Sequence, residues 1–415
     1  MAAPLRRTTI GLKNGFAKNL LKSNNESRSP AFSCKNILTR NFSNKFNSCR
    51  FASLKKNWKI GACMTAATSV FATSYFRSRR SFADVEPRPI SRHVPGVVDI
   101  GNQKFTLYQF QSCPYCCKAR AALDYFGFTY DVVEVNSITK SQMKFSEYKK
   151  VPVLVVDGQI GDKDFTLQFN DSSTIVSVLA SYVYDQNTPL YKLHQCYPGI
   201  KEKEGRKTVW DFPNKYFIMY GENIADSRTE TQRRNDKNNN NDDEAIARER
   251  DERKWRRWTD DILMHTISPN VYRTLPESLE AFHHFSEWGE WDKNFSTGTR
   301  LGIVYVGAFV MYFIGKLVKR RHDIKDNPRE SLYDACDEWM KAVGKKQFYG
   351  GDKPNLADLS VYGALHSFEG CLAHKDLMEF HRIEKWYKRM EQQINGHEGA
   401  HLLKVAPSKH PNLQL

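Results

Sequence analysis

Three cysteines fall within five positions in QSCPYCCKAR, residues 111–120. Cysteine at that density can ligate a metal, exchange disulfides, or act singly as a thiolate, and each chemistry asks for different partners. A structural zinc site needs four ligands. His194 and Cys196 are too isolated in pattern to complete one, so no metal is expected. Cys113-Pro114-Tyr115-Cys116 has C-x-x-C spacing at a junction between an extended run and a helical one. A thiol at a helix N-terminus faces unpaired N–H groups and the positive end of the helix dipole, which favours thiolate and lowers its pKa. Cys113 is therefore the expected reactive sulfur. Pro114 suits the first helical turn, where its missing N–H costs nothing. Cys117 reads as a small buried helix residue.

The flanking segments define what must position that thiol. FTLYQF (105–110) reads as a strand, CCKARAALDYFG (116–127) as a helix ended by Gly127, and TYDVVEV (129–135) as a second strand. A polar, helical stretch from Thr139 to Lys150 follows. Then VPVLVVDGQ runs into an Asp157-Gly158 hairpin signal with FTLQF as its partner, and SSTIVSVLASYV forms an amphipathic helix. Strand, helix, strand, helix, strand, strand, helix is the order of an α/β thioredoxin-like, glutaredoxin-like domain, assigned to 100–190. Beyond it the periodicity turns helical, with helices expected at 254–267, 277–289, 300–320, 328–343, 356–371 and 380–395. These make an all-α second domain over 191–395. A polar insertion at 226–253 is centred on NDKNNNNDDE, and a tail occupies 396–415.

Two more features belong with the thiol. Val151-Pro152 stands where a thioredoxin-like fold places a cis-proline beside a bound thiol peptide, although a plain strand-opening proline has the same sequence. Asp171-Ser172 opens a helix and offers backbone amides and a hydroxyl to a carboxylate, or serves only as its N-cap. Taken with Cys113, these describe a glutathione site.

The net charge of +15 invites a nucleic-acid reading, but residues 1–83 hold sixteen Lys and Arg against one acid, Glu26, so the remainder is neutral and no nucleic-acid partner is expected. That basic, Ser- and Asn-rich leader has the composition of a mitochondrial transit peptide. Within it, IGACMTAATSVFATSYF (60–76) is uncharged and would reach about 26 Å as a helix, a marginal membrane anchor or a further piece of presequence. Residues 84–99, with three prolines, read as an extended linker. A second apolar run, LGIVYVGAFVMYFIGKLV (301–318), is expected as a buried helix of the second domain because its glycines and tyrosines suit helix packing. Nine scattered cysteines exclude a secreted disulfide framework.

CPYC with VPVL and NDSS, KWRRWTDDILMHTISPNVYRT (254–274) and KPNLADLSVYGAL (353–365) together resemble the membrane-associated prostaglandin E synthases of type 2. The C-x-x-C half is shared by all glutaredoxins, whereas the two helical-domain motifs are far more specific. The resemblance spans about 100–392 and implies a glutaredoxin-like domain followed by a glutathione-transferase-like helical domain. It also implies a homodimer, glutathione as cofactor, haem as a further ligand, and isomerisation of a lipid endoperoxide to prostaglandin E.

Cys113 matches the family's essential cysteine, Tyr115 its aromatic spacer and Cys116 its dispensable thiol, with Val151, Pro152, Asp171 and Ser172 completing the glutathione contacts. His265, Ser268 and Asn270 match positions lining its haem and substrate cavity, and Arg321 could meet a propionate. His265 could instead be a helix-terminal capping histidine. One departure is Phe110, where the family carries a tyrosine whose hydroxyl reaches the catalytic sulfur. The change implies a less stabilised thiolate. Asn355 and Asp358 of PNLADL read as a structural capping pair.

The alternatives are a mitochondrial glutathione- or haem-binding module with little prostaglandin activity, and a dithiol oxidoreductase using Cys113 with Cys116. Localisation is expected at a mitochondrial membrane, with the Golgi or another endomembrane as the alternative.

Overall fold

Alternation builds the sheet: along Lys104–Gln109, Phe105, Leu107 and Gln109 turn inward while Lys104, Thr106 and Tyr108 are left more exposed. The computed structural model describes residues 90–404 apart from 99, 161–162, 206 and 220–239. The leader and the 60–76 segment lie outside the described residues. Strands β1 (Arg92–Val94), β2 (Lys104–Gln109), β3 (Tyr130–Glu134), β4 (Val153–Ile160) and β5 (Lys163–Asn170) form a mixed sheet in the order β1-β3-β2-β4-β5. β2 and β3 run parallel, and every other neighbouring pair is antiparallel.

The register lines up Val132, Leu107, Leu154 and Phe169 as successive neighbours across four strands, each at most 2% exposed. Burying each such side chain contributes about 1.5–3 kcal/mol, so this row anchors the core. β3 is buried at all five positions, as a strand covered on both faces should be.

Helices α1 (Pro114–Tyr125) and α2 (Ser172–Tyr184) follow their strands, with a shorter α3 (Leu190–Cys196) and an outlying hairpin of β6 (Ile200–Glu204) and β7 (Lys207–Asp211). The helical region runs through α4 (Asn240–Trp258), which passes by a π-helical turn at Thr259–Leu263 into α5 (Met264–Val271). It continues with α6 (Leu275–Trp288), α7 (Trp291–Asn294), α8 (Thr297–Arg321), α9 (Pro328–Val343), α10 (Leu356–His366), α11 (Leu372–Phe380), α12 (Glu384–Asn395) and α13 (His401–Lys404). The two regions share one apolar core. α10 lies directly on α1: a Cβ on Gly363 would come within 2.5 Å of the Lys118 Cα, so only glycine lets the two backbones approach. Asn355 and Asp358 form a capping box at the start of α10, and the buried Asp358 carboxylate also accepts from the Tyr349 and Gly350 amides and the Trp386 indole.

Several elements depart from the sequence-based expectation. The hairpin does not turn at Asp157-Gly158, because β4 continues to Ile160 and Gly158 sits across from Phe165, whose ring would meet a Cβ there at 2.5 Å. The stretch from Thr139 to Lys150 forms only a 3-10 turn at Ser141–Met143. Residues 92–94 of the expected linker add an edge strand, and the expected loop insertion is already helical from Asn240. The helix expected over 356–371 ends at His366, near a left-handed turn at Gly370.

The largest correction concerns 301–318. Only Ile303, Val304, Ala308 and Gly315 of α8 are buried, and 22% of its most apolar window is covered by the rest of the chain. It is the one helix among the described residues long and apolar enough to cross a membrane, which on its own is weak evidence for membrane association.

Candidate functional site

Cys113 is the N-cap of α1, in extended conformation, with Pro114 at the first helical position. Its amide donates to the Phe110 carbonyl (3.1 Å) and its carbonyl accepts from the Cys117 amide (2.9 Å), fixing the turn from strand to helix. The Cys116 thiol hydrogen-bonds the Cys113 sulfur, and this interaction is the largest of those that bring Cys113 below the usual thiol range. The Cys116 and Tyr115 amides and the Arg120 charge act in the same direction and together outweigh burial. Cys116 is pushed well above that range, by burial first and by the neighbouring sulfur second. The two sulfurs therefore differ in proton affinity, Cys113 holding its proton less tightly than an ordinary thiol and Cys116 more tightly. Cys117 is 1% exposed and burial pushes it up to about 12.

Under this turn lies a polar network absent from the sequence-based site. Arg120 donates to Gln109 Oε1 (2.5 Å), to the Gln111 carbonyl (2.9 Å) and to Cys117 Sγ (3.0 Å). Glu134 accepts from the Gln111 amide (2.8 Å) and from Gln109 Nε2 (3.3 Å). Burial lifts its carboxyl to about 7. On the opposite side of α1, the buried Lys118 ammonium meets Asp260 (2.5 Å) and Ser173 Oγ (2.7 Å), while Asp260 also accepts from Tyr216 (2.9 Å). Burial would raise Asp260, but Lys118 and these hydroxyls hold it below the usual carboxylate range. A buried ammonium and a buried guanidinium two positions apart, on opposite faces of one turn of α1, carry no periodic signature and cannot be told from solvated residues in the sequence. Their partners lie up to 142 positions away.

The Val151–Pro152 peptide is cis. Among the described residues, no hydrogen bond within the protein engages the Val151 main chain, leaving it open to an extended peptide. Val151 and Phe110 each pack against a small buried cluster of Val135, Met143, Tyr148, Val153, Val155 and Phe212, so the Phe110 ring is held by packing. Asp171 takes the N-cap role: with φ at 72°, it accepts from the Ser173 (2.9 Å) and Thr174 (3.1 Å) amides. That leaves the Ser172 amide, at the start of α2, without a partner among the described residues. Burial raises the Tyr115 and Tyr148 hydroxyls, and the charges on Cys113 and Asp171 raise both further, with Asp260 adding to the shift of Tyr115. Tyr272, at the end of α5, is raised by burial, with Cys371 and then Cys113 adding to the shift. A cavity of about 740 Å³ behind β1, lined by His93, Lys104, Thr129 and Asp131, contains none of these residues.

The residues assigned to a haem cavity are placed differently. The His265 ring is stacked on His322 at 3.7 Å. Asn270 is fully buried and spends its amide on the Thr266 and Pro328 carbonyls, while its oxygen accepts from Arg329. Arg321 is exposed and Ser268 half-buried, its carbonyl against Gly315. With the Asn270 amide and oxygen both spent within the protein, the arrangement gives haem no support.

Residues 105–160 match the glutaredoxin family and residues 307–393 the glutathione S-transferase C-terminal domain family. The chain is 40% identical over 291 residues to prostaglandin E synthase 2 of Danio rerio, covering 70% of this chain and 71% of that one. It is 41% identical over 307 residues to prostaglandin E synthase 2 of Mus musculus, covering 72% of each. A rice glutathione transferase solved with glutathione is 14% identical, with a TM-score of 0.37 over 74% of this chain and all of that one, too loose a likeness to argue from.

Proposed function

This chain belongs to the prostaglandin E synthase 2 family, and we propose that it is a glutathione-dependent isomerase converting prostaglandin endoperoxide H2 to prostaglandin E2 through the Cys113 thiolate. The observation that carries the reading is the split between the two sulfurs: Cys113 favours the anion, and the buried Cys116 thiol donates to it.

The thiolate attacks one endoperoxide oxygen, forming an S–O bond as the O–O bond breaks, and the second oxygen leaves as an alkoxide that takes a proton. Loss of the proton from the carbon bearing the sulfur-bound oxygen sends the C–H electron pair into the carbonyl, and the S–O bond breaks to return the thiolate. The sequence is redox-neutral. Glutathione, when bound, supplies a second thiol that keeps the site reduced; the open Val151 peptide and the Ser172 amide, beside Asp171, would hold it. Haem has no step in this scheme.

A homodimer follows from the family resemblance. The basic leader supports mitochondrial import, with the Golgi or another endomembrane as the alternative, and 60–76 is the proposed anchor. The experiment is to supply the full-length chain with endoperoxide and glutathione and to measure prostaglandin E2 and glutathione disulfide together. Product without stoichiometric disulfide is the expected result, and disulfide rising in step with substrate loss would establish a dithiol oxidoreductase instead. Phe110 favours a second reading, a glutathione-binding module with little isomerase activity, for which neither would accumulate.

A further inference from the structure

We propose that the outer face of α8 docks on an anionic lipid surface. Leu301, Tyr305, Phe309, Phe313 and Leu317 recur at every fourth position, forming one stripe about 24 Å long. Their exposures run from 43% at Leu301 to 64% at Leu317, with Val306, Val310 and Ile314 alongside. The opposite side of the helix is committed to the protein: Gly307 lies against the Phe282 ring, and Gly315 against the Ser268 carbonyl. The helix is thus apolar on the side it buries and on the side it leaves in water. Soluble chains rarely leave a continuous apolar patch of more than a few hundred square ångströms uncovered.

Charge selects the occupant. Thr297–Arg321 contains no Asp or Glu, but carries Arg300 at its start and Lys316, Lys319, Arg320 and Arg321 at its end. Lys319 pairs with Asp326, whereas Arg320 and Arg321 are exposed and have no acidic partner among the described residues. A second copy laid antiparallel on the stripe would set this basic end against a first turn holding Arg300 and no acid. A bilayer with anionic headgroups meets both features: the aromatic and aliphatic side chains enter the interface, and the terminal cations meet lipid phosphates and carboxylates. The inference needs no part of the isomerase reading and concerns a segment separate from 60–76.

The test replaces Phe313 with the photoreactive benzoylphenylalanine in the full-length chain and irradiates it with phosphatidylcholine vesicles containing phosphatidylserine. A control chain carries the same group at Glu202, exposed on β6. Lipid adducts are expected from position 313 and not from 202, and the Lys316→Glu/Arg320→Glu variant should lower the adduct yield at least fivefold, since each cation near such a surface contributes about 1 kcal/mol. Cross-linking of position 313 to a second copy, equal lipid labelling from 313 and 202, or an unchanged yield in the charge-reversed variant would each overturn the proposal.

Discussion

Replacing Cys116 with alanine removes the group that contributes most to the Cys113 thiolate. Cys116 is 0% exposed, so water cannot substitute for its thiol. A hydrogen bond to a charged acceptor is worth about 1.5–3 kcal/mol. Losing it destabilises the anion relative to the thiol, raising the Cys113 midpoint by about one to two pH units at 1.36 kcal/mol each. Cys116→Ser keeps a donor and should move it by less than about half a unit. The assay is the rate of iodoacetamide alkylation of Cys113, followed by peptide mass spectrometry from about pH 5 to 9. At a pH below both midpoints, the alanine variant should react about 10–100-fold more slowly than the parent. An unmoved midpoint in Cys116→Ala would exclude the Cys116 thiol as the main stabiliser and assign the anion to the Tyr115 and Cys116 amides with Arg120.

Three further outcomes follow from the same geometry. Phe110→Tyr should lower the Cys113 midpoint by up to about one pH unit in the same titration, because it supplies the phenol donor that the family resemblance implies at this position. Lys118→Met strands the buried Asp260 carboxylate and should cost about 3–5 kcal/mol in urea unfolding, most of which the double variant Lys118→Met/Asp260→Leu should regain. Glu134 titrates near 7 when folded against an ordinary 4.5. The stability it contributes is therefore complete below about 4.5 and lost as pH rises through about 7, a ceiling of about 3 kcal/mol. Glu134→Gln should then be more stable than the parent near pH 8 and gain nothing near pH 4.5; urea midpoints at the two pH values check this, and an equal gain at both would contradict it.

The sequence was most legible where chemistry and local geometry share a few residues. Cys113 at a helix start, Pro152 after Val151, and Asp171 before a helical run each announce a local backbone event, and all three stand where those signals put them. Asn355 and Asp358 could be read for the same reason. The Arg120–Gln109–Gln111–Glu134 and Lys118–Asp260 networks were illegible because buried polar residues on helix and strand look like solvated ones until distant partners are known. The Asp157-Gly158 signal failed because a cross-strand aromatic, Phe165, gave Gly158 a packing role that outweighed turn propensity. The stretch 301–318 misled in another way, since apolar content reports a preference to leave water and not which surface provides cover.

Whether the Cys113 thiolate alone carries the isomerisation is decided by prostaglandin E2 formation by the full-length chain and by its Cys113→Ser and Cys116→Ser variants at equal protein and glutathione. A loss of at least about a hundredfold is expected in Cys113→Ser, because a neutral hydroxyl replaces the activated nucleophile, and activity within about threefold of the parent in Cys116→Ser, which keeps the donor. Product formation by Cys113→Ser at the parental rate would contradict that role for the thiolate.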